Sequence, residues 1–172
     1  MLRAPAGGPG RAFELLTRLP DDFLSDGRRD APLQRRKELA ARYLLDTNIC
    51  IYTQRQRPPA VLERFRKLKP GEAVISVITW AELRHGAEKS RQRDMVLALL
   101  EEFTAMVPVM PMPEAAGQAC GTIRAALEAK GAPIGNNDLW IAAHAKASGL
   151  ITVTSNEREF EQVPGFGVRS WA

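Results

Sequence analysis

Asp46, Glu82, Asp138 and Asn156 stand where short apolar runs give way to helical patterns. Asp46 closes Arg42-Tyr43-Leu44-Leu45 and opens Asp46-Thr47-Asn48, and Glu82 lies within Ser76-Val77-Ile78-Thr79-Trp80-Ala81-Glu82-Leu83. Asp138 heads Asp138-Leu139-Trp140-Ile141-Ala142-Ala143, and Asn156 follows Ile151-Thr152-Val153-Thr154-Ser155. In an open parallel sheet the carboxyl ends of the strands meet at one crevice, so residues remote in sequence gather there. Gathered carboxylates repel one another unless a hard divalent cation joins them, and magnesium or manganese suits all-oxygen surroundings. The chemistry to expect is metal-assisted hydrolysis of a phosphodiester. In it, Mg²⁺ (or Mn²⁺ in its place) activates a water and neutralises charge on the phosphate and the leaving oxygen.

Each residue also has a plainer reading. Asp46 could cap the following helix, but Asn48 can take that role and leave Asp46 facing the crevice. Glu82 among Ile78, Trp80, Ala81 and Leu83 needs a partner or an exposed face, because charged groups are almost never buried unpaired. Asp138, after the glycine-containing loop 131–135, could be held by the helix dipole alone. Asn156 and Glu157 also read as a capped turn into Arg158-Glu159-Phe160. His85 follows Glu82 at i+3, but the di-iron pattern this suggests needs a second copy, and none exists. His144 reads as a packed histidine. Nucleophile elbow, Cys/His metal spacing and dinucleotide glycine fingerprint are all absent.

From Arg42 onward the elements that must position these residues alternate in the manner of βαβ units. Strands are expected at 43–45, 73–76, 107–109, 151–154 and 168–171. Helices are expected at 48–54, 59–67, 77–89, 91–106, 113–130 and 137–148. Right-handed crossovers then favour an α/β/α sandwich with a mainly parallel central sheet. Residues 1–10, rich in Gly, Pro and Ala, are expected to be disordered. A short amphipathic helix around Phe13-Glu14-Leu15-Leu16 should stop at Pro20, with further helical turns from Asp21 and Pro32. This stretch carries few apolar residues for its length and reads as an extended helical tail that docks on something larger.

With 172 residues, 45% of them hydrophobic, one main core is expected. No apolar run approaches the roughly 18 residues of a membrane span, and the N-terminus lacks the apolar core of a secretory signal. Cys50 and Cys120, both in apolar helix-like segments, read as buried reduced thiols, which suits a cytoplasmic protein. The formal net charge is only +4. It is concentrated in part at residues 55–69, where Arg55, Arg57, Arg64 and Lys67 could track an RNA backbone, or form a solvated helix face.

Four blocks in order resemble the PIN-domain ribonucleases, specifically the VapC toxins of bacterial type II toxin–antitoxin pairs. They are Tyr43-Leu44-Leu45-Asp46-Thr47-Asn48, residues 75–83, Ile134-Gly135-Asn136-Asn137-Asp138 with Ile141-Ala142-Ala143-His144-Ala145, and Thr152-Val153-Thr154-Ser155-Asn156 with Glu159-Phe160. The resemblance spans 42–172 and implies a PIN-like fold, with Asp46, Glu82 and Asp138 as magnesium-binding acids and RNA, often tRNA, as substrate. Asn156 falls where many members carry a fourth acid, so it could act on a neighbouring carboxylate or a water instead. A homodimer is implied too.

Residues 1–40 have their own resemblance, to the toxin-binding tail of a VapB antitoxin. It is carried by Phe13-Glu14-Leu15-Leu16, Leu19-Pro20-Asp21-Asp22-Phe23, Gly27-Arg28-Arg29-Asp30, Pro32 and Gln34-Arg35-Arg36. Such tails insert an arginine among the acids, and Arg28, then Arg29 and Arg35, match that role. The implied protein is an endoribonuclease toxin carrying an inhibitory segment. The rival is a catalytically silent, autoinhibited module of a toxin–antitoxin complex.

Overall fold

The computed structural model describes residues 8–20 and 41–171. Five short strands form one fully parallel sheet: β1 (Tyr43–Leu45), β2 (Ala73–Ser76), β3 (Val109–Met110), β4 (Ile151–Val153) and β5 (Val168–Arg169). Their spatial order is β3-β2-β1-β4-β5. In register, Leu45 lies opposite Ile75 on one side and Val153 on the other. The chain builds outward from β1 through β2 and β3, then returns to pair β4 on the opposite edge of β1. The order therefore reverses beside β1, which is where ligand crevices form in open α/β sheets.

Period-two alternation splits the strand residues between two apolar layers. Tyr43, Leu45, Ala73, Ile75 and Val153 face helices α2 (Thr47–Gln56), α3 (Pro59–Lys67), α4 (Val77–Lys89) and α5 (Arg93–Met106). Leu44 and Val74 face α6 (Ala115–Ala129) and α7 (Asn136–Ser148), with Phe160 from α8 (Glu157–Phe160) closing that layer. The expected sandwich and parallel sheet are present. Among the described residues no helix is long and apolar enough to cross a membrane. Both cysteines are buried and free.

The third strand lies two residues later than its apolar residues suggest. Val107 ends α5, giving its N–H to Phe103, and the ladder begins when the Pro108 carbonyl accepts from Ile75 at 3.0 Å. Thr154 and Trp171 likewise fall outside their expected strands.

The N-terminal helix, α1 (Pro9–Thr17), starts earlier than composition suggests. Proline is pre-organised for the first helical position, where its missing N–H costs nothing, so Pro9 opens a helix and is not part of a disordered arm. Ala12, Phe13, Leu15 and Leu16 are almost wholly buried against α3, α5 and α2. Phe13 meets Phe65 edge-on with ring centroids 6.2 Å apart. Two polar ties fix the helix end. Buried Gln54 donates to the Leu19 carbonyl at 3.1 Å. Arg57, held left-handed at φ 48°, donates to the Thr17 carbonyl at 3.1 Å. Arg28, Arg29 and Arg35 lie outside the described residues, as do the helical turns expected from Asp21 and Pro32.

Candidate active site

β1 delivers Asp46 to the carboxyl edge of the sheet at the point where strand order reverses. Its backbone N–H bonds the Val153 carbonyl at 2.9 Å, so the residue is still part of the β1–β4 ladder. The side chain is buried, accepting from the Thr47 backbone N–H at 2.7 Å and from the Thr154 hydroxyl at 2.8 Å. Asp46 is therefore the N-cap of α2 as well as a cleft residue, and Asn48 does not take the cap; its side chain hydrogen-bonds Asp46 instead. Burial raises the Asp46 carboxyl to about 6, helped by the Glu82 charge and opposed by the bonds from Thr154, Thr47 and Asn48.

Glu82 arrives one and a half turns into α4, whose start is fixed by the Ser76 hydroxyl accepting from Ile78 N–H at 3.2 Å. Its carboxylate receives the Thr47 hydroxyl on one oxygen and the Asn137 carboxamide on the other. Asp138 sits in the first turn of α7. A Cβ on Gly135 would come within 3.0 Å of Asp138 Oδ2, so any larger residue there would press on this carboxylate.

Asp46, Thr47, Asn48, Glu82, Asn137 and Asp138, with Ile51, Gly135 and Asn136, line one open cleft of about 390 Å³. Three of the four residues singled out from sequence are thus brought together. Asn156 does not line that cleft. It caps α8, with its N–H bonded to the Thr154 hydroxyl at 2.9 Å, and its side chain hydrogen-bonds Glu159.

Glu159 was not among the candidates, yet it pairs with Asp138. Burial, the hydrogen bond to Glu159 and the charges of Asp46, Glu159 and Glu82 raise Asp138 to about 8. Glu159 is held low by the same bond from Asp138, by Asn156 and by the Gly135 N–H. Their bond raises the proton affinity of Asp138 and lowers that of Glu159, so the two carboxyls titrate as a pair. Glu159 was findable: it stands three residues after Asn156 on a helical turn, the spacing at which side chains meet.

His144 is fully buried in α7, with Nδ1 3.0 Å from the Ser76 hydroxyl. Burial lowers it to about 4 against the pull of the Pro111 carbonyl, so it packs as a neutral ring. His85 is half-buried on α4 and does not line the cleft. Arg55, Arg57, Arg64 and Lys67 are exposed on α2 and α3, and none lines the cleft.

Every donor in the cleft is an oxygen or a carboxamide, and the acids raise one another's proton affinity. Such a set fits a hard dication better than a soft one. Among the described residues no three Asp, Glu, His or Cys side chains are drawn together tightly enough to close on one ion. The carboxylates are turned instead onto Thr47, Asn137, Thr154 and Glu159. Asp138 would have to give up its bond to Glu159 to serve as a ligand.

A PIN-domain profile matches residues 43–165. The tRNA(fMet)-specific endonuclease VapC of Shigella flexneri is 44% identical over 131 residues, covering 76% of this chain and 98% of that protein. Ribonuclease VapC2 of Haemophilus influenzae is 41% identical, with 76% and 98% coverage. Among solved structures, DNA-bound VapBC from Salmonella typhimurium superimposes with a TM-score of 0.72 at 42% identity, covering 77% of this chain and 99% of the other. With the sheet order, the cleft acids and these likenesses in agreement, the chain belongs to the PIN-domain family as a VapC-type toxin ribonuclease.

Proposed function

We propose that the protein is a magnesium-dependent endoribonuclease toxin whose cleft acids Asp46, Glu82 and Asp138 form the metal-binding set. PIN-domain nucleases generally use a divalent metal. The observation that carries this reading is the convergence of three acids from β1, α4 and α7 on one crevice, where their charges work against one another. When bound, Mg²⁺ (or Mn²⁺) supplies Lewis-acid activation of water and charge neutralisation at the phosphate.

The chain's own residues do the rest. Thr154 and the Thr47 N–H hold both oxygens of Asp46, fixing the carboxylate before any ligand arrives. Thr47 and Asn137 aim Glu82. Asn156 acts on Glu159, and Glu159 governs the Asp138 proton, so the fourth position works through a neighbouring carboxylate. Arg55, Arg64 and Lys67 offer charge to an RNA backbone. Arg57 could add to this with the donors it does not give to the Thr17 carbonyl. The likeness to tRNA(fMet)-specific endonucleases supports a tRNA substrate, and the toxin–antitoxin complexes among the structural neighbours support a VapB-type antitoxin partner. A cytoplasmic homodimer completes the reading.

Residues 1–40 act as an antitoxin-like inhibitory segment, α1 anchoring it and Arg28, Arg29 or Arg35 reaching the acids of this or a second copy. The docking of α1 on the nuclease body also favours a second reading, a silent autoinhibited module. Mapping cleavage of total cellular RNA with Mg²⁺, for the full chain and for a form lacking residues 1–39, tests both. Metal-dependent cleavage that rises on deletion supports the inhibited toxin, and inactivity of both forms overturns the nuclease assignment.

A further inference from the structure

Beside the acid cleft lies a second, smaller hollow of about 90 Å³ between the C-terminal half of α6 and the start of α7. Leu127 and Leu139, both almost fully buried, make its floor, and half-buried Ile134 makes one wall. Its rim carries Arg124, Glu128 and Asn136. Asn136 also lines the acid cleft, so the two hollows share a wall. Arg124 Nε lies 3.6 Å from a Glu128 oxygen, on a side chain that is 57% exposed.

The two hollows divide the work of holding a nucleotide. The acid cleft offers oxygens and carboxamides with Ile51 as its sole apolar side chain, so it gives a base no flat apolar face. The second hollow has that face, with a planar guanidinium and a carboxamide at its edge. Its volume is well below the roughly 300–1,000 Å³ of pockets that enclose whole ligands. It can take the edge of one ring system while the sugar and phosphate remain over the acids. Sequence-selective RNA recognition works by this division, with unpaired bases splayed onto apolar or guanidinium planes and read along their edges.

We propose that this α6–α7 hollow is a subsite for one unpaired purine flanking the cleaved phosphate. Arg124 and Asn136 read its edge: a guanidinium pairs bidentately with guanine O6 and N7, and a carboxamide with adenine N6 and N7. The proposal rests on the ribonuclease reading, and its test keeps the two apart.

The probes are short single-stranded RNAs bearing the mapped cleavage site, with the purine on either side of the cleaved phosphate kept or replaced by an abasic residue. kcat/KM is measured with Mg²⁺ on the full chain, and binding by fluorescence anisotropy. At one flanking position the abasic change lowers kcat/KM and affinity about 10- to 100-fold. Arg124→Ala produces a similar loss on the intact RNA and little further loss on the abasic one. Arg124→Lys fails to restore the intact value, since lysine keeps the charge but not the planar fork. Losses that multiply, or full rescue by Arg124→Lys, would show that Arg124 meets a phosphate and overturn the subsite. If the wild type cleaves no RNA, the nuclease reading falls, while anisotropy on an arbitrary purine-containing oligonucleotide and its abasic copy still decides the subsite. Equal affinity for the two overturns it.

Discussion

The acid cleft and the α1 groove lie at different places on one nuclease body and are built on opposite terms. In the groove, apolar side chains vanish from water, and Gln54 and Arg57 close the carbonyls at the end of α1. In the cleft, acids from three elements crowd together and two of them are pushed up toward neutral pH. The groove gains stability by burying apolar surface, whereas the cleft crowds acids at a cost to stability. Perturbing either region should therefore move one property without the other.

Asp46→Asn should give the largest separation. RNA cleavage should fall about 10³-fold, roughly 4 kcal/mol of barrier, while the metal-free melting temperature holds or rises because a buried acid has been neutralised. Single-turnover cleavage beside a thermal melt checks this, and full activity of the variant sinks the metal-site assignment. Phe13→Ala should do the reverse, weakening α1 docking by about 3 kcal/mol in the range for core Phe truncations. Hydrogen exchange in α1 reports that loss. Cleavage of a short RNA should not fall, and a fall without any change in exchange would join the two regions.

The third test is pH. Asp46 and Asp138 have folded values above their ordinary ones, so the folded state keeps protons that the unfolded chain has released. Their contribution is full below about pH 4 and is lost as pH rises through about 6 for Asp46 and about 8 for Asp138. The metal-free melting temperature should decline between pH 6 and 8, and Mg²⁺ should raise it more at pH 8 than at pH 6. A metal-independent melting temperature over that range would remove the acids from the account. The smallest effect belongs to Thr154→Val. Losing one hydrogen bond to Asp46 should cost about 1 kcal/mol and move the acid limb of the cleavage profile to higher pH.

Much of this division was visible in the sequence. Short β-rich runs alternating with helical patterns defined the sheet, because buried parallel strands and amphipathic helices carry different periods. Asp46, Glu82 and Asp138 stood out because a carboxylate beside a buried element needs a reason. Thr154 did not, since a threonine ending a strand is ordinary; its role depends on the β1–β4 register that places it across from Asp46. Glu159 was overshadowed by Asn156, the residue occupying the position where an acid was expected, and only its i,i+3 spacing pointed to it. The seat of α1 was equally hidden. Its apolar face announces docking but not the partner, which the structure supplies in buried residues such as Val61, Phe65 and Phe103.

One bond in the cleft spans much of the chain. Thr154 reaches Asp46 across 108 residues, and β4 must pair with β1 before that bond can form. A chain emerging from the ribosome at about 5–20 residues per second presents α1 and β1 well before β4 exists. Until then the central strand lacks one neighbour and Asp46 lacks a clamp on its second oxygen. The acid cleft is thus completed only near the end of synthesis, after the N-terminal segment has already been made.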